Sequence, residues 1–169
     1  MKEHFSKISK WLPALILLFI FACSKNEVNS PLNGKWRGVS YIASEPVDEN
    51  MDGEANADLS QEIDCVSIEA EFTSHGHFSL TSSDATYDVQ IIDGKAVLVP
   101  TGCTSTSENG NWTLDETSTV LYLEFNIPGK DEPYLMEVQI ELSEQQLVMK
   151  DLPYKDDGSI TYTVEFEKV

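Results

Sequence analysis

From Gly34 to the end of the chain no stretch keeps a helical apolar period over three turns. Short alternating runs broken by Gly, Asp, Asn and Pro stand in its place. The clearest sets Val66, Ile68, Ala70 and Phe72 against Ser67, Glu69, Glu71 and Thr73, the two faces of a half-buried strand. Gly34 to Ala43 reads as the first strand. Phe78 and Leu80 begin another; Tyr87, Val89 and Ile91 alternate, and Asp93-Gly94 is a tight hairpin signal returning the chain through Val97 and Val99. Pro100 is expected to stop that strand and residues 101–111 to form a polar connection. Trp112 and Leu114, then Leu121, Leu123 and Phe125, then Met136, Val138, Ile140 and Leu142 follow. Residues 143–150 fit a short strand with Leu147 and Met149 or a turn of helix, and Ile160, Tyr162, Val164 and Phe166 close the series.

About nine or ten short strands, hairpin-linked and without alternating helices, predict an all-β antiparallel meander. A meander of this length buries its apolar face by splitting into a sandwich or by closing into an up-and-down barrel. The barrel is the expectation, because closure removes exposed edges.

Ahead of the strands, Lys2, Lys7 and Lys10 precede an uncharged run from Trp11 to Ala22. Its twelve residues would reach only about 18 Å as a helix, short of a hydrocarbon core. With Ile20-Phe21-Ala22-Cys23 at its end, the segment resembles a bacterial lipoprotein signal peptide. The resemblance implies removal of residues 1–22, lipid on Cys23 and a flexible tether over 23–33, leaving 34–169 as one domain. It also implies a cell-envelope address, the outer membrane being suggested by Ser24, on either the periplasmic or the exposed face. The alternative is an ordinary secretory signal with an incidental cysteine.

The chain carries 11 Lys and Arg against 29 Asp and Glu, a net charge of −18, and the leader would take three of the lysines with it. Phosphate binding needs clustered bases, and Arg37 is the one arginine, so nucleic acid is not an expected partner. Attachment to a membrane would rest on acyl chains alone. With Cys23 lipidated, Cys65 and Cys103 remain as an even pair in an exported chain, which reads as a disulfide; two buried thiols are the alternative.

Gly34-Lys35-Trp36, opening the first strand directly after the tether, resembles the first-strand signature of lipocalins, and with the meander behind it the whole mature chain resembles the lipocalin-like domain of Gram-negative lipoproteins. That resemblance implies a β-barrel with Trp36 plugging one end. It also implies an arginine near the last strand packed over the indole, where this chain offers only Lys168.

Between the first two strands lies an acidic insertion. Asp48, Asn50 and Asp52 at alternate positions before Gly53, with Glu54 and Asp58 beyond, match the first half of a calcium loop. The closing glutamate position is Leu59, so a solvated acidic turn is the competing reading. His75 and His77 flank Gly76 without a third ligand nearby and read as a hairpin turn.

No nucleophile elbow or phosphate loop is present, and no cysteine is left over if Cys65 and Cys103 pair, so no enzymatic activity is expected. The expected function is a membrane-anchored carrier of a small apolar ligand. Its interior would be lined or filled by Trp36, Val66, Ile68, Phe72, Phe78, Leu121, Leu123, Phe125, Val138, Ile140, Tyr162 and Val164. The alternative is an accessory lipoprotein with a packed core whose acidic loops meet an envelope partner.

Overall fold

The computed structural model describes residues 29–92, 94–130, 132–154 and 158–169; the leader and Cys23 lie outside them. The strands are β1 (Gly34–Val47), β2 (Asn56–Asp58), β3 (Ser67–Phe72), β4 (His77–Ile92), β5 (Lys95–Leu114), β6 (Val120–Phe125), β7 (Tyr134–Leu142), β8 (Gln146–Pro153) and β9 (Thr161–Lys168), with a single helical turn α1 (Leu59–Glu62) after β2. Each neighbour pair is antiparallel, in the order β2-β1-β3-β4-β5-β6-β7-β8-β9, and β9 returns to pair with β1. The sheet is therefore a closed up-and-down barrel of eight strands, the expected class, with β2 added beside the far end of β1. Its core and its closure both lie within the described residues from Leu32 onward. Residues 143–150, left open by periodicity, contain the start of β8, with Leu147 and Met149 inside.

One end of the barrel is plugged. Trp36 is 1% exposed and donates its indole N–H to the Leu32 carbonyl at 2.7 Å. Lys168 stands with Nζ 4.9 Å from the centre of the Trp36 rings and donates to the Pro31 carbonyl at 2.9 Å. A lysine thus covers the tryptophan where the resemblance implied an arginine. Leu32, placed by the sequence reading in a flexible tether, is wholly buried and belongs to the core. A lone leucine without apolar rhythm around it gives no strand signal, and what buries it is the barrel end that Trp36 plugs. Gly34 is needed here because a Cβ would come within 2.9 Å of Lys168 Cε at a φ of +127°.

Above the plug an aromatic row crosses the sheet. Phe72 is in register with Phe78, Phe78 with Gly110, Gly110 with Phe125, and Phe125 with Tyr134. Phe78 and Phe125 meet edge to face at 5.1 Å across Gly110, and Phe72 meets Trp112 likewise at 5.8 Å.

The largest departure from the sequence reading is β5. Pro100 does not end it: the strand runs on to Leu114, and residues 101–111 are strand, not connection. Pro100 faces Tyr87 next to a register shift, on a stretch of β5 that pairs only with β4, so its missing N–H breaks no ladder. The polar residues pair across the hairpin through hydroxyls, Thr81 with Ser107, Ser82 with Thr106 and Ser83 with Ser105. Such cross-strand pairs stabilise a ladder without any apolar alternation. Beyond Ser83, β4 and β5 leave the barrel as a two-stranded arm of about 30 Å, with Ile92 paired to Lys95 across the expected hairpin. Cys65 is bonded to Cys103 as expected, with Cα atoms 6.0 Å apart, and ties the base of the arm to the segment before β3. Closing a loop of 38 residues stabilises the fold by about 4 kcal/mol in the chain-entropy account.

The β5–β6 turn is held by one carboxylate. Asp115 accepts from the amides of Thr119 and Val120, both at 2.8 Å, and from the Thr117 amide and hydroxyl. The Thr117 hydroxyl first, then the Val120, Thr119 and Thr117 amides, hold its pKa at about 2, below the ordinary 3.8. A depressed folded-state pKa means that the carboxylate's stabilisation is complete above about pH 4 and is lost as pH falls through about 2. Asp115→Asn is therefore expected to melt below the parent chain at neutral pH, with the gap narrowing across that acid window. A gap independent of pH in thermal melts would show that the charge is not what holds the turn.

Candidate ligand cavity

Height along the barrel decides what each inward residue does. Inward positions on β3 run Phe72, Ala70, Ile68 away from the plug, and those on β4 run Phe78, Leu80, Ser82. The row begins aromatic and ends polar. Register places Glu108 opposite Leu80 and Thr106 opposite Ser82, so β5 also turns polar on its inward face toward the far end.

There a cavity of about 220 Å³ lies inside the barrel. Phe72, Phe78, Phe125 and Phe166 form its apolar floor, Met136 and Met149 its sides, and Glu108, Pro153 and Tyr162 its rim. A second recess of about 210 Å³ adjoins it through Ile68, Ser82, Pro153 and Tyr162, bounded further by Leu59, Val66, Asp84 and Tyr154.

The second recess exists because the seam between β1 and β3 opens. These strands pair only from Gly34 to Arg37, after which β1 pairs with β2 on that side. The Ile68 amide, left without a strand partner, donates to the Tyr41 hydroxyl at 3.0 Å. The gap is covered by α1, whose Leu59 is buried and whose N-terminus is capped by Asp58 accepting from Ser60.

Carboxylates crowd this end. Glu62 is 4% exposed and accepts from the Glu49 amide at 3.2 Å. Burial, then a hydrogen bond to Glu49 and the charges of Glu49 and Asp84, raise the Tyr154 pKa. Burial, then Asp64, Asp84, Glu49 and Glu62, raise that of Tyr87. Burial and Tyr41 raise that of Tyr162. Tyr154 and Tyr162 meet edge to face at 6.1 Å.

Of the twelve interior residues named from sequence, Ile68, Phe72, Phe78, Leu123, Phe125 and Tyr162 line the main cavity and Val66 the adjoining recess. Trp36, Leu121, Val138, Ile140 and Val164 are buried core that lines neither. Sequence reasoning missed Glu108, which it had placed in a connection. The signal lay in its spacing from Trp112, two inward steps away with Gly110 between them.

The acidic insertion spends its side-chain oxygens on its own backbone. Asp48 accepts from Gly53, Asn50 from Asp52 and Asp52 from Glu54. Asp58 is committed to α1. Among the described residues no three His, Cys, Asp or Glu side chains converge as a metal site, and His77 pairs instead with Asn111 at 2.8 Å.

Compared with protein-family models and with curated proteins, the chain matches none. Fold and cavity together define its class: a closed eight-stranded antiparallel β-barrel, plugged at one end and hollow toward the other.

Proposed function

We propose that this chain is a lipid-anchored, lipocalin-like envelope protein that holds a small, largely apolar molecule in its barrel, by binding and not by catalysis. The observation that carries the reading is the apolar-floored cavity of about 220 Å³ above the aromatic row. A concave apolar site with a few polar groups at its rim is the usual form of a small-molecule site, and small barrels hold a single ligand in this place. The anchor rests on the sequence of residues 1–23 and its resemblance to lipoprotein signals.

The test is native mass spectrometry of the chain from Ser24 onward, which contains the whole closed barrel, purified without detergent and followed by organic extraction. A stoichiometric apolar adduct, or a melting shift with neutral apolar probes, is expected, since only a molecule that binds the native state raises its stability. A clean apo mass with no shift would overturn the carrier reading in favour of a packed-core interaction protein. Radiolabelled palmitate incorporation that is lost in Cys23→Ser tests the anchor separately.

A further inference from the structure

We propose that the cavity selects a small amphiphilic cation, an ammonium head on an apolar body of about one ring, over a fatty acid or other anion of the same size. This rests on the carrier reading above and specifies its ligand.

The size follows from the volume. An apolar cavity of about 150 Å³ holds benzene, so about 220 Å³ accommodates one ring and a short arm. The floor, built from Phe72, Phe78, Phe125 and Phe166, offers nothing to a charged group. The ring belongs there.

The sign of the head group follows from the walls above it. Glu108, opposite the inward Leu80, lines the main cavity, and Asp84, one residue past the end of the β3–β4 pairing, lines the adjoining recess; both carboxylates are exposed. Among the described residues, neither lining contains a lysine, arginine or histidine. Glu49, Glu62 and Asp64 add negative charge at the same end, felt together with Asp84 by the Tyr87 hydroxyl. The described bases lie elsewhere. Lys35 pairs with Glu71, Arg37 shares a surface pocket with Lys35, and Lys168 covers Trp36, all at the plugged end; His75 and His77 flank the β3–β4 turn; Lys95 lies at the tip of the arm; Lys150 pairs with Glu141; and Lys130 lines a separate surface pocket with Glu124 and Glu132. Lys155 lies outside the described residues and is followed in sequence by Asp156 and Asp157.

A carboxylate entering this rim meets like charges, whereas an ammonium meets opposite ones. The Tyr154 and Tyr162 rings on the recess wall give the cation two aromatic faces besides. Anionic walls with an apolar floor thus discriminate by charge at constant shape.

Three matched probes test this on the chain from Ser24 onward: 2-phenylethylamine, the neutral 2-phenylethanol and phenylacetate, titrated calorimetrically at low salt and again at about 1 M salt. The amine is expected to bind at least about tenfold more tightly than the acid, with the alcohol between them, and salt should compress the difference. Glu108→Gln combined with Asp84→Asn should bring the amine-to-acid affinity ratio close to one, and circular dichroism and a melting curve of the variant report that it is folded. Alcohol binding without preference for the amine, or a preference that survives the double substitution, overturns the charge selection and leaves the carrier reading standing. Failure of all three probes to bind overturns both.

Discussion

Gly110→Ala is expected to cost the barrel at least about 3 kcal/mol, enough to leave much of the chain unfolded at physiological temperature. A Cβ at this position would lie 1.9 Å from the Glu124 carbonyl oxygen, 2.8 Å from its carbon and 2.9 Å from Phe78 Cε1. Overpacking that side chains can absorb costs about 1–3 kcal/mol, but here the nearest obstacle is the backbone of the neighbouring strand, which no rotamer change relieves. The position sits between Phe78 and Phe125 in the aromatic row, so displacing β6 would also pull apart rings in contact at 5.1 Å. Gly129→Ala supplies the control. No atom lies within 4 Å of a Cβ there and only its φ of +81° resists the change, so a loss of about 1–2 kcal/mol is expected. Urea denaturation of the two variants decides the matter: a Gly110→Ala chain no less stable than Gly129→Ala would mean that the strands do not approach as described.

The second large effect belongs to Trp36. Trp36→Ala is expected to cost about 3–5 kcal/mol, the usual range for emptying a buried tryptophan site, since the ring is 1% exposed in the core that includes Leu32 and Phe166. The substitution also removes the face that Lys168 covers. Trp36→Phe isolates the hydrogen bond, because it keeps most of the packing but strands the buried Leu32 carbonyl, for about 1–3 kcal/mol. Trp112 is the natural comparison, being about as buried at 2% while its indole N–H has no acceptor among the described residues. Trp112→Phe should therefore cost less than Trp36→Phe. Equal losses in paired denaturation curves would show that the N–H bond to Leu32 contributes nothing to closing this end.

Much of the architecture was legible from residue order because most strands obey one rule. Val66 to Thr73 alternates cleanly and contains β3; Ile92 pairs with Lys95 on either side of the expected hairpin signal; Ile160 to Phe166 contains most of β9. The rule failed where the physical cause of strand formation was not apolar burial. Residues 101–111 are strand because hydroxyls on β4 meet hydroxyls on β5, a match between segments about twenty residues apart that no local window contains. Leu32 is core because it packs into the barrel end that Trp36 plugs, and α1 forms over a seam that exists only once β1 has left β3. Glu108 was misplaced for the same reason as its strand.

The chain by itself determined the strand and turn pattern, the all-β class, the pair Cys65 and Cys103, and which residues of each clear strand face inward. Only the tertiary structure decided which of those inward residues are packed solid and which surround a space. Alternation assigns a side chain to the inside or the outside of a sheet, whereas its height in the barrel depends on the stagger between strands. That stagger sets Leu121, Val138, Ile140 and Val164 in the packed core and leaves Phe72, Phe78 and Phe125 as the floor of a cavity with Glu108 at its rim.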